Sequence, residues 1–286
     1  MSTLVGLGNI ATASGSVSLE EKERKLFRIL EGLGQVLVAY SGGTDSAYLA
    51  WAAARVLGDK AVAITADSAS MPESHKRDAE DFARRYGLRH EYIKTFEFDN
   101  PVFAANNADR CFHCKDELFS RLEEVGRERG VANIIYGVNV DDLGDYRPGQ
   151  NAASKHEVRA PLMEAGMTKA DIRELSRQAG LPTWDRPAAA CLSSRIPYGT
   201  PVTIQTVKTV EKGEEAIKAL GFRQFRVRYH GDLVRIEVAP EELPKALTPE
   251  VAKAFTAIFK PLGFLYVTLD LEGYRMGSFN ERLKKK

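Results

Sequence analysis

The amino-acid sequence predicts an α/β fold in which a doubly wound parallel sheet is followed by a small α+β region. Four strand-like runs, at residues 35–40, 61–66, 89–95 and 133–137, alternate with segments of helical character. The second run is almost continuously apolar, which is typical of a parallel strand buried on both faces. Strands that alternate with helices at this spacing indicate βαβ units and therefore a parallel sheet.

The change in composition after Gly180 predicts the domain organisation. Two connectors stiffened by proline follow it, at residues 181–187 and 196–201. We therefore expect a first domain over residues 1–200 and a second over residues 201–286. In the second domain the pattern predicts a helix (207–220), a hairpin (224–238), another helix (249–259) and a strand (264–271).

Helices are expected before and between the strands of the first domain. Ser18 and Glu21 form a capping box that starts the first helix. Residues 47–54 predict a second helix directly after the first strand and its turn. Pro72 opens a third helix that ends at Gly87, and a fourth runs from about residue 115 to residue 129.

Composition and charge narrow the class of protein. The chain of 286 residues is 44% hydrophobic and 28% charged, as globular proteins are, and its net charge of +1 gives no general affinity for nucleic acid. No apolar run is long enough for a membrane span, and the first residues lack a signal-peptide pattern. We expect a cytoplasmic protein with no membrane and no nucleic acid among its partners. Three cysteines are an odd number, which argues against a disulfide framework.

The turn after the first strand has the composition of a phosphate-binding loop. A glycine-rich turn between a strand and a helix presents backbone N–H groups and a positive helix end to a phosphate. Gly42 and Gly43 permit close approach, Ser41 and Ser46 add hydroxyl donors, and Asp45 can hold Mg²⁺ or orient the loop. The lysine-containing Walker motif is absent from the chain. The loop therefore predicts an ATP site of a different type.

Other strand ends belong to the same predicted site. Ligands of doubly wound sheets bind at the carboxyl ends of the strands. That edge adds Ala66 and Ser68 after the second strand, and residues 137–139 after the fourth. We expect these residues to contact the nucleotide bound by the loop.

The cysteines form a second candidate site. Cys111 and Cys114 make a C-x-x-C pair, and Cys191 stands alone. The pair could be a redox couple, half a zinc site completed by a histidine such as His113, or the incidental start of a helix. Three thiolates also suit a [4Fe–4S] cluster with one iron left open to a small ligand. Buried, inert cysteines are the remaining interpretation.

Two longer motifs give these features a family context. The loop at 41–46 resembles the pyrophosphate loop of ATP pyrophosphatases, which implies cleavage of ATP to AMP and pyrophosphate. Together with residues 139–149 and 190–199 it resembles the LarE family of sulfur-insertion proteins in nickel-pincer cofactor synthesis, over nearly the whole chain. The resemblance implies that a carboxylate of pyridinium-3,5-biscarboxylic acid mononucleotide is adenylated and then converted to a thiocarboxylate. It also implies a homo-oligomer.

The resemblance assigns the sulfur-bearing cysteine to Cys191. Some members of the family give up the sulfur of that cysteine and are left with dehydroalanine, whereas others hold a [4Fe–4S] cluster on three cysteines. Cys111 and Cys114 favour the second group. Catalytic roles are thus expected for Cys191 and Asp45.

Further polar residues are candidates for the substrate or its phosphate. Arg195 could lower the pKa of the Cys191 thiol or hold a phosphate, and a surface ion pair is the alternative. Asp142, Asp145 and Arg147 could order metal, pyrophosphate or substrate, or simply cap a polar loop.

The predicted hairpin carries two arginines, Arg226 and Arg228, on one face by strand alternation. Arg235 and Glu237 share one face of the returning strand. Such a face could bind the substrate's phosphate or a neighbouring subunit, or could be a solvated sheet face. The family resemblance of residues 226–228 favours a functional role.

Rival functions remain open at this point. One is a cluster-dependent tRNA thiolase, against which the near-neutral charge and the lack of a recognisable RNA-binding module argue. Another is a nucleotide-binding regulator without chemistry, which ATP turnover to AMP would exclude. An amidotransferase-type synthetase is disfavoured because no glutaminase domain is attached.

Overall fold

The structure, a computed structural model, describes residues 17–144, 148–187, 190–275 and 278–279. The helices and strands that precede the connectors are α1 (Leu19–Leu33), β1 (Val36–Ala39), α2 (Thr44–Leu57), β2 (Ala61–Asp67), α3 (Glu73–Arg85), β3 (Arg89–Lys94), α4 (Pro101–Ala104), α5 (Arg110–Arg129), β4 (Asn133–Tyr136), α6 (Pro148–Lys155), α7 (Pro161–Glu164) and α8 (Lys169–Gln178). After the connectors come α9 (Ile204–Ala219), β5 (Phe225–His230), β6 (Leu233–Val238), α10 (Leu243–Ala246), α11 (Pro249–Phe259) and β7 (Tyr266–Leu269). None of these helices is both long and apolar enough to cross a bilayer.

The larger sheet is parallel, with strand order β3-β2-β1-β4. Val38 of β1 lies between Ala63 of β2 on one side and Ile135 of β4 on the other. β2 and β3 are therefore added in turn on one side of β1, and β4 is added on the opposite side of β1. A change of direction of this kind opens a crevice at the carboxyl ends of the two strands.

Helices cover both faces of this sheet because successive side chains of a strand point to opposite faces. Val36 and Val38 pack in a core with apolar residues of α1, α2 and α8. Leu37 and Ala39 pack in a separate core with residues of α5 and α6. The prediction of a doubly wound α/β sheet is confirmed.

Local signals set most helix starts. The capping box of Ser18 and Glu21 forms as predicted, since each side chain accepts a hydrogen bond from the backbone N–H of the other. The start of α5 was predicted wrongly, because it begins at Arg110 rather than near residue 115. Asp109, a residue type that favours the N-cap, precedes it but makes no side-chain capping bond. The C-x-x-C pair consequently lies within the first five residues of a helix.

The smaller sheet has the order β5-β6-β7, with the β5–β6 hairpin antiparallel and β7 parallel to β6. Gly231 turns the hairpin with φ +68°, in the left-handed region that glycine tolerates. Val227 and Ile236 face a buried core under α9 and α11, which also includes Phe103 and Leu192 from the earlier part of the chain. The domain boundary at residue 200 stays a prediction.

Gly137, directly after β4, lies against the backbone at the start of α2. A Cβ added there would stand 2.7 Å from the N of Ser46 and 2.9 Å from the C of Asp45. Gly137→Ala should therefore destabilise the fold by about 1–3 kcal/mol, because backbone atoms must shift to admit the methyl group. Chemical denaturation measures this loss.

Gly32→Ala is the matched control, because a Cβ at Gly32 on α1 meets no atom within 4 Å. That variant should be as stable as the parent or slightly more stable. Equal stability of Gly137→Ala and Gly32→Ala would contradict the close contact.

Candidate active site

The loop between β1 and α2 closes on itself through its two serines. The Oγ of Ser46 accepts a hydrogen bond from the Ser41 N–H (3.2 Å) and lies 3.1 Å from the Ser41 Oγ. Gly42 has φ +72°, and a Cβ there would meet the Cβ of Ala79 at 3.3 Å. Gly43 is the N-cap of α2. The loop thus places backbone and hydroxyl groups at the positive end of a 14-residue helix, where a phosphate binds favourably.

Asp45 lies on the first turn of α2 and makes an ion pair that the sequence did not predict. Its Oδ2 accepts a hydrogen bond from the Lys169 Nζ at 2.6 Å, and the Asn139 side chain lies at 3.4 Å. Its Oδ1 is buried without a hydrogen bond among the described residues. Burial raises the pKa of Asp45, Lys169 acts against this increase, and the nearby Asp142 adds to it.

The residues after β4 reach the same place. Asp142 accepts a hydrogen bond from the Asn139 backbone N–H at 3.1 Å. Asp141 accepts one from the backbone N–H of Lys169 at 2.7 Å, so the start of α8 is fixed beside this segment. Of the predicted substrate residues on this loop, Asp145 and Arg147 lie outside the described residues.

Arg186 holds the phosphate-binding loop from the opposite side. Its guanidinium donates to the Gly42 carbonyl (2.6 Å) and makes an ion pair with Asp78. Arg173 of α8 in turn donates to the carbonyls of Trp184 (2.5 Å) and Arg186 (2.7 Å). No motif at Arg186 indicated this role, because its partners lie more than 100 residues away in the sequence.

A cavity of about 230 Å³ opens at the carboxyl ends of the strands in front of the loop. Its lining brings together six predicted site residues from four parts of the chain: Ser41, Ser46, Ala66, Ser68, Cys114 and Cys191. Two more of its lining residues, Lys115 and Glu97, were not predicted. The phosphate-binding loop and the candidate sulfur-bearing cysteine therefore share one cavity.

The hydroxyl of Ser68 is already used inside the protein. It donates to the carboxylate of Glu97 and accepts the Ser70 backbone N–H at 2.9 Å. Glu97 is only 3% exposed. Ser68 therefore positions Glu97, and any direct contact between Ser68 and a nucleotide stays a prediction.

The three cysteines are free thiols near one another. Cys191 precedes a short 3₁₀ turn and is exposed, as is Cys111, whereas Cys114 is half-buried. Desolvation and the neighbouring Cys191 raise the pKa of Cys111, and Arg110 acts against this increase. Burial raises the pKa of Cys114 to about 12, with smaller contributions from Glu97 and Cys191. Cys111 and Cys114 are therefore protonated at neutral pH in the metal-free protein.

Arg110 joins the C-x-x-C turn to the segment that carries Cys191. This side chain is 3% exposed and donates to the Ser193 carbonyl at 2.8 Å and to the Asn106 side chain. Its charge also acts on the neighbouring thiol of Cys111, whose pKa it lowers. Asn106 donates in turn to the carbonyls of Pro197 and Thr200, both at 2.8 Å. Arg110 and Asn106, which we call the Arg110–Asn106 clasp, thus bind backbone carbonyls of the Cys191 segment and fix it against the start of α5.

The donor chemistry of three cysteines fits an iron–sulfur cluster, but the thiols are not preassembled as a metal site. Among the residues that the structure describes, no group of three or more His, Cys, Asp or Glu side chains is arranged to hold a metal ion.

Arg195 is buried rather than exposed, so the surface ion pair considered for it is wrong. Its Nε lies 2.8 Å from the Oε1 of Glu214, and its Nη1 donates to the carbonyls of Ala190 (2.7 Å) and Cys191 (2.9 Å). Arg195 thus holds the backbone on which the Cys191 thiol is carried.

The hairpin arginines have separate positions. Arg228 is 6% exposed and makes an ion pair of 2.8 Å with Glu237, which is fully buried, so the solvated-face interpretation is wrong for this pair. Arg226 packs over the ring of Tyr274 at 4.9 Å. Burial and the nearby Arg195 lower the pKa of Arg226.

A second cavity, of about 420 Å³, adjoins the first, and the two share the lining residues Pro72 and His75. Burial, followed by Arg186 and Arg195, lowers the pKa of His75 to about 4, so its imidazole is neutral at pH 7. Four arginines line the second cavity: Arg186, Arg195, Arg223 and Arg226. Arg228 does not line either cavity.

Comparison with known proteins places this site in a family. No protein-family model matches the chain. The chain is 43% identical over 267 residues to an uncharacterised protein of Synechocystis sp., which covers 93% of this chain and 100% of that protein. It is 34% identical over 269 residues to the pyridinium-3,5-bisthiocarboxylic acid mononucleotide synthase of Lactiplantibacillus plantarum, which covers 94% of this chain and 97% of the synthase.

The chain belongs to the LarE family. This LarE-family chain is an ATP-utilising enzyme of the pyrophosphate-loop superfamily, as the sequence predicted. The tRNA-specific 2-thiouridylase MnmA of Xanthobacter autotrophicus is a distant relative, 30% identical over 194 residues that cover 54% of this chain and 49% of that enzyme. About half of each chain is therefore not aligned in that match.

Removal of the Arg110 guanidinium tests the clasp. Arg110→Met should destabilise the protein by about 1–3 kcal/mol, because the buried Ser193 carbonyl and the Asn106 side chain lose their donor. The pKa of Cys111 should rise, since Arg110 lowers it in the parent. The midpoint of Cys111 alkylation against pH, followed by mass spectrometry of its peptide, should move upward.

Arg121→Met is the control, because Arg121 lies on the same helix and pairs with the partly exposed Glu124. It should leave both the alkylation midpoint and the stability nearly unchanged. An unshifted Cys111 midpoint in Arg110→Met would contradict the contact with the thiol.

Proposed function

We propose that this protein is an ATP-dependent sulfurtransferase that converts a carboxylate of pyridinium-3,5-biscarboxylic acid mononucleotide to a thiocarboxylate. The observation that carries the proposal is the shared cavity, which both serines of the pyrophosphate loop and Cys191 line. The Lactiplantibacillus relative is named as the synthase of the bisthiocarboxylic product, and the match covers nearly its whole length. Activation and sulfur transfer need the same carboxyl carbon, so their residues must lie together.

The first step joins the substrate to AMP. A carboxylate oxygen attacks the α-phosphorus of ATP, the bond between the α- and β-phosphates breaks, and pyrophosphate leaves. In this proposal the N–H groups at the start of α2 and Lys169, which pairs with Asp45, stabilise the departing pyrophosphate. Mg²⁺ binds proteins through one or two carboxylates together with phosphates, and Asp45, with its unpartnered buried oxygen, and Asp142 fit that role.

The second step replaces AMP by sulfur. A sulfur nucleophile attacks the carbonyl carbon, the bond from that carbon to the AMP oxygen breaks, and AMP leaves with the oxygen. A carboxylate oxygen is a poor leaving group, and adenylation removes this obstacle. Arg195 and Arg110 fix the backbone of the Cys191 segment at the cavity, so the distance between the sulfur and the nucleotide-binding loop is held constant.

The second cavity suits the mononucleotide substrate. This substrate carries two carboxylates and a phosphate, and arginine side chains bind such groups in a planar, bidentate manner. Arg223 and Arg226 line the cavity and are the two arginines that we assign to these groups. Arg195 lines it as well and makes an ion pair with Glu214. Arg228, paired with Glu237, serves the packing of the sheet in this proposal. The homo-oligomer remains a prediction.

We assign the sulfur supply to the three cysteines. Cys111, Cys114 and Cys191 would hold a [4Fe–4S] cluster, which when bound supplies an iron position open to a small sulfur ligand. The donor set and the electrostatic proximity of the thiols support this assignment. The alternative is sacrifice of the Cys191 sulfur, for which the exposure of Cys191 at the cavity is the supporting observation.

Neither rival function has comparable support. The non-catalytic regulator conflicts with membership of an enzyme family that uses ATP. A tRNA thiolase would rest on a relative that matches only about half of the chain. Salt-sensitive retention of the protein on tRNA would favour it.

The nucleotide chemistry gives the first test of the proposal. With the mononucleotide substrate the protein should release AMP and pyrophosphate in equal amounts, and chromatography of the nucleotides should show no ADP. Asp45→Asn should reduce this rate at least about tenfold, since it removes a carboxylate that would hold Mg²⁺ at the phosphates. Asp59→Asn, on an exposed turn after α2, should turn over at the parent rate. ADP as the product would overturn the proposal.

Cys111→Ala and Cys114→Ala distinguish the two sulfur sources. If a cluster supplies the sulfur, each variant should lose both iron, assayed after anaerobic purification, and activity, and the parent should turn over repeatedly with added sulfide. If Cys191 is consumed, both variants should keep a single turnover. Spent parent protein would then be lighter by the mass of H₂S, as measured by intact mass spectrometry. Cys191→Ala should abolish transfer by either route.

A further inference from the structure

Two buried polar atoms in the nucleotide cavity have no hydrogen-bond partner among the described residues. They are the Oγ1 of Thr95 and the Oε2 of Glu97, just after the end of β3. Both residues line the 230 Å³ cavity that the pyrophosphate loop also lines. A buried carboxylate oxygen or hydroxyl without a partner is costly, and natural proteins rarely keep one without a ligand or water to pair it.

The carboxylate of Glu97 is held in place rather than free to rotate to water. Its other oxygen accepts the hydroxyl of Ser68, which itself accepts the Ser70 backbone N–H. With the side chain 3% exposed, Oε2 is fixed beside the cavity. An ionised carboxylate only accepts hydrogen bonds, so the missing partner must be a donor.

The ribose hydroxyls of a nucleotide are hydrogen-bond donors that could pair with these two atoms. Its phosphates belong at the loop and at the helix start, and a carboxylate repels them. The apolar side chains Ile64 and Leu118, with the ring of Tyr136, line part of the same cavity and suit the purine base. The ribose, which joins base and phosphates, is then left for the polar group formed by Thr95 and Glu97.

We propose that Glu97, assisted by Thr95, binds the ribose hydroxyls of ATP and makes the enzyme select ribonucleotides over deoxyribonucleotides. A carboxylate that accepts from adjacent ribose hydroxyls is a known solution to ribose recognition in other nucleotide-binding folds. The inference rests on the proposed function only in taking ATP as the nucleotide. It requires neither the cluster nor the mononucleotide substrate.

Nucleotide binding to the full chain tests the assignment without any turnover. ATP, 2′-deoxyATP and 3′-deoxyATP are titrated calorimetrically with Mg²⁺ present and the mononucleotide absent. The parent should bind ATP about tenfold more tightly than at least one deoxy analogue, because a hydrogen bond to a charged group is lost. In Glu97→Gln this ratio should fall to about twofold, since the charge is removed while an acceptor for Ser68 remains.

Asp99→Asn is the matched control, because Asp99 belongs to the same short turn and is exposed. It should keep the parent ratio. If Glu97→Gln fails to fold, as judged by thermal unfolding, Thr95→Val decides instead, and its ratio should also fall below that of the parent.

Three results would overturn the assignment. The first is a parent protein that binds ATP and both deoxy analogues equally. The second is a ratio in Glu97→Gln and Thr95→Val that equals the ratio of the parent, even if both variants bind all three nucleotides more weakly. The third comes from a further titration with ITP, which lacks the 6-amino group of adenine: if Glu97→Gln changes the ratio of ATP to ITP binding but not the ratio of ATP to deoxyATP binding, Glu97 lies at the base. Absence of thiocarboxylate formation, in contrast, bears on the proposed function alone.

Discussion

The candidate site depends on a contact between two pieces of backbone, in which Gly137 after β4 lies against Asp45 and Ser46 at the start of α2. This contact brings the segment after β4 to the loop after β1, at the place where the strand order changes direction. Asn139 follows two residues later and reaches Asp45. Asp141, in the same segment, binds the backbone N–H of Lys169 and so fixes the residue that pairs with Asp45. The ion pair beside the loop therefore depends on the close approach of the ends of β1 and β4.

The cysteine site is assembled by different means, from buried arginines that bind carbonyl groups. Arg110 holds the Ser193 carbonyl from the helix that carries the C-x-x-C pair, and Arg195 holds the Cys191 carbonyl from within the segment itself. A guanidinium in a nearly dry environment keeps its charge and fixes its partners in direction as well as distance. The thiol of Cys191, the candidate sulfur carrier, is thus held on irregular backbone that buried hydrogen bonds fix in place.

The parts of the site that the sequence predicted are those that local rules determine. The loop at 41–46 could be recognised because strand, glycines and helix are contiguous, and the alternation of the hairpin identified its buried face. Lys169 and Arg186 could not, since 124 and 144 residues separate them from their partners on the loop. Glu97 was missed because a single acid after a strand looks like surface, and only the packing around it shows that it is buried.

The neutral imidazole of His75, in the wall common to both cavities, destabilises the fold as the pH falls. Its pKa is lowered from 6.5 to about 4 in the folded state, whereas the unfolded chain protonates near the ordinary value. Between these two values the unfolded state binds the extra proton, so acidification favours unfolding progressively across that interval and no further below it. Burial of this imidazole, with Arg186 and Arg195 beside it, therefore narrows the range of pH in which the fold is most stable.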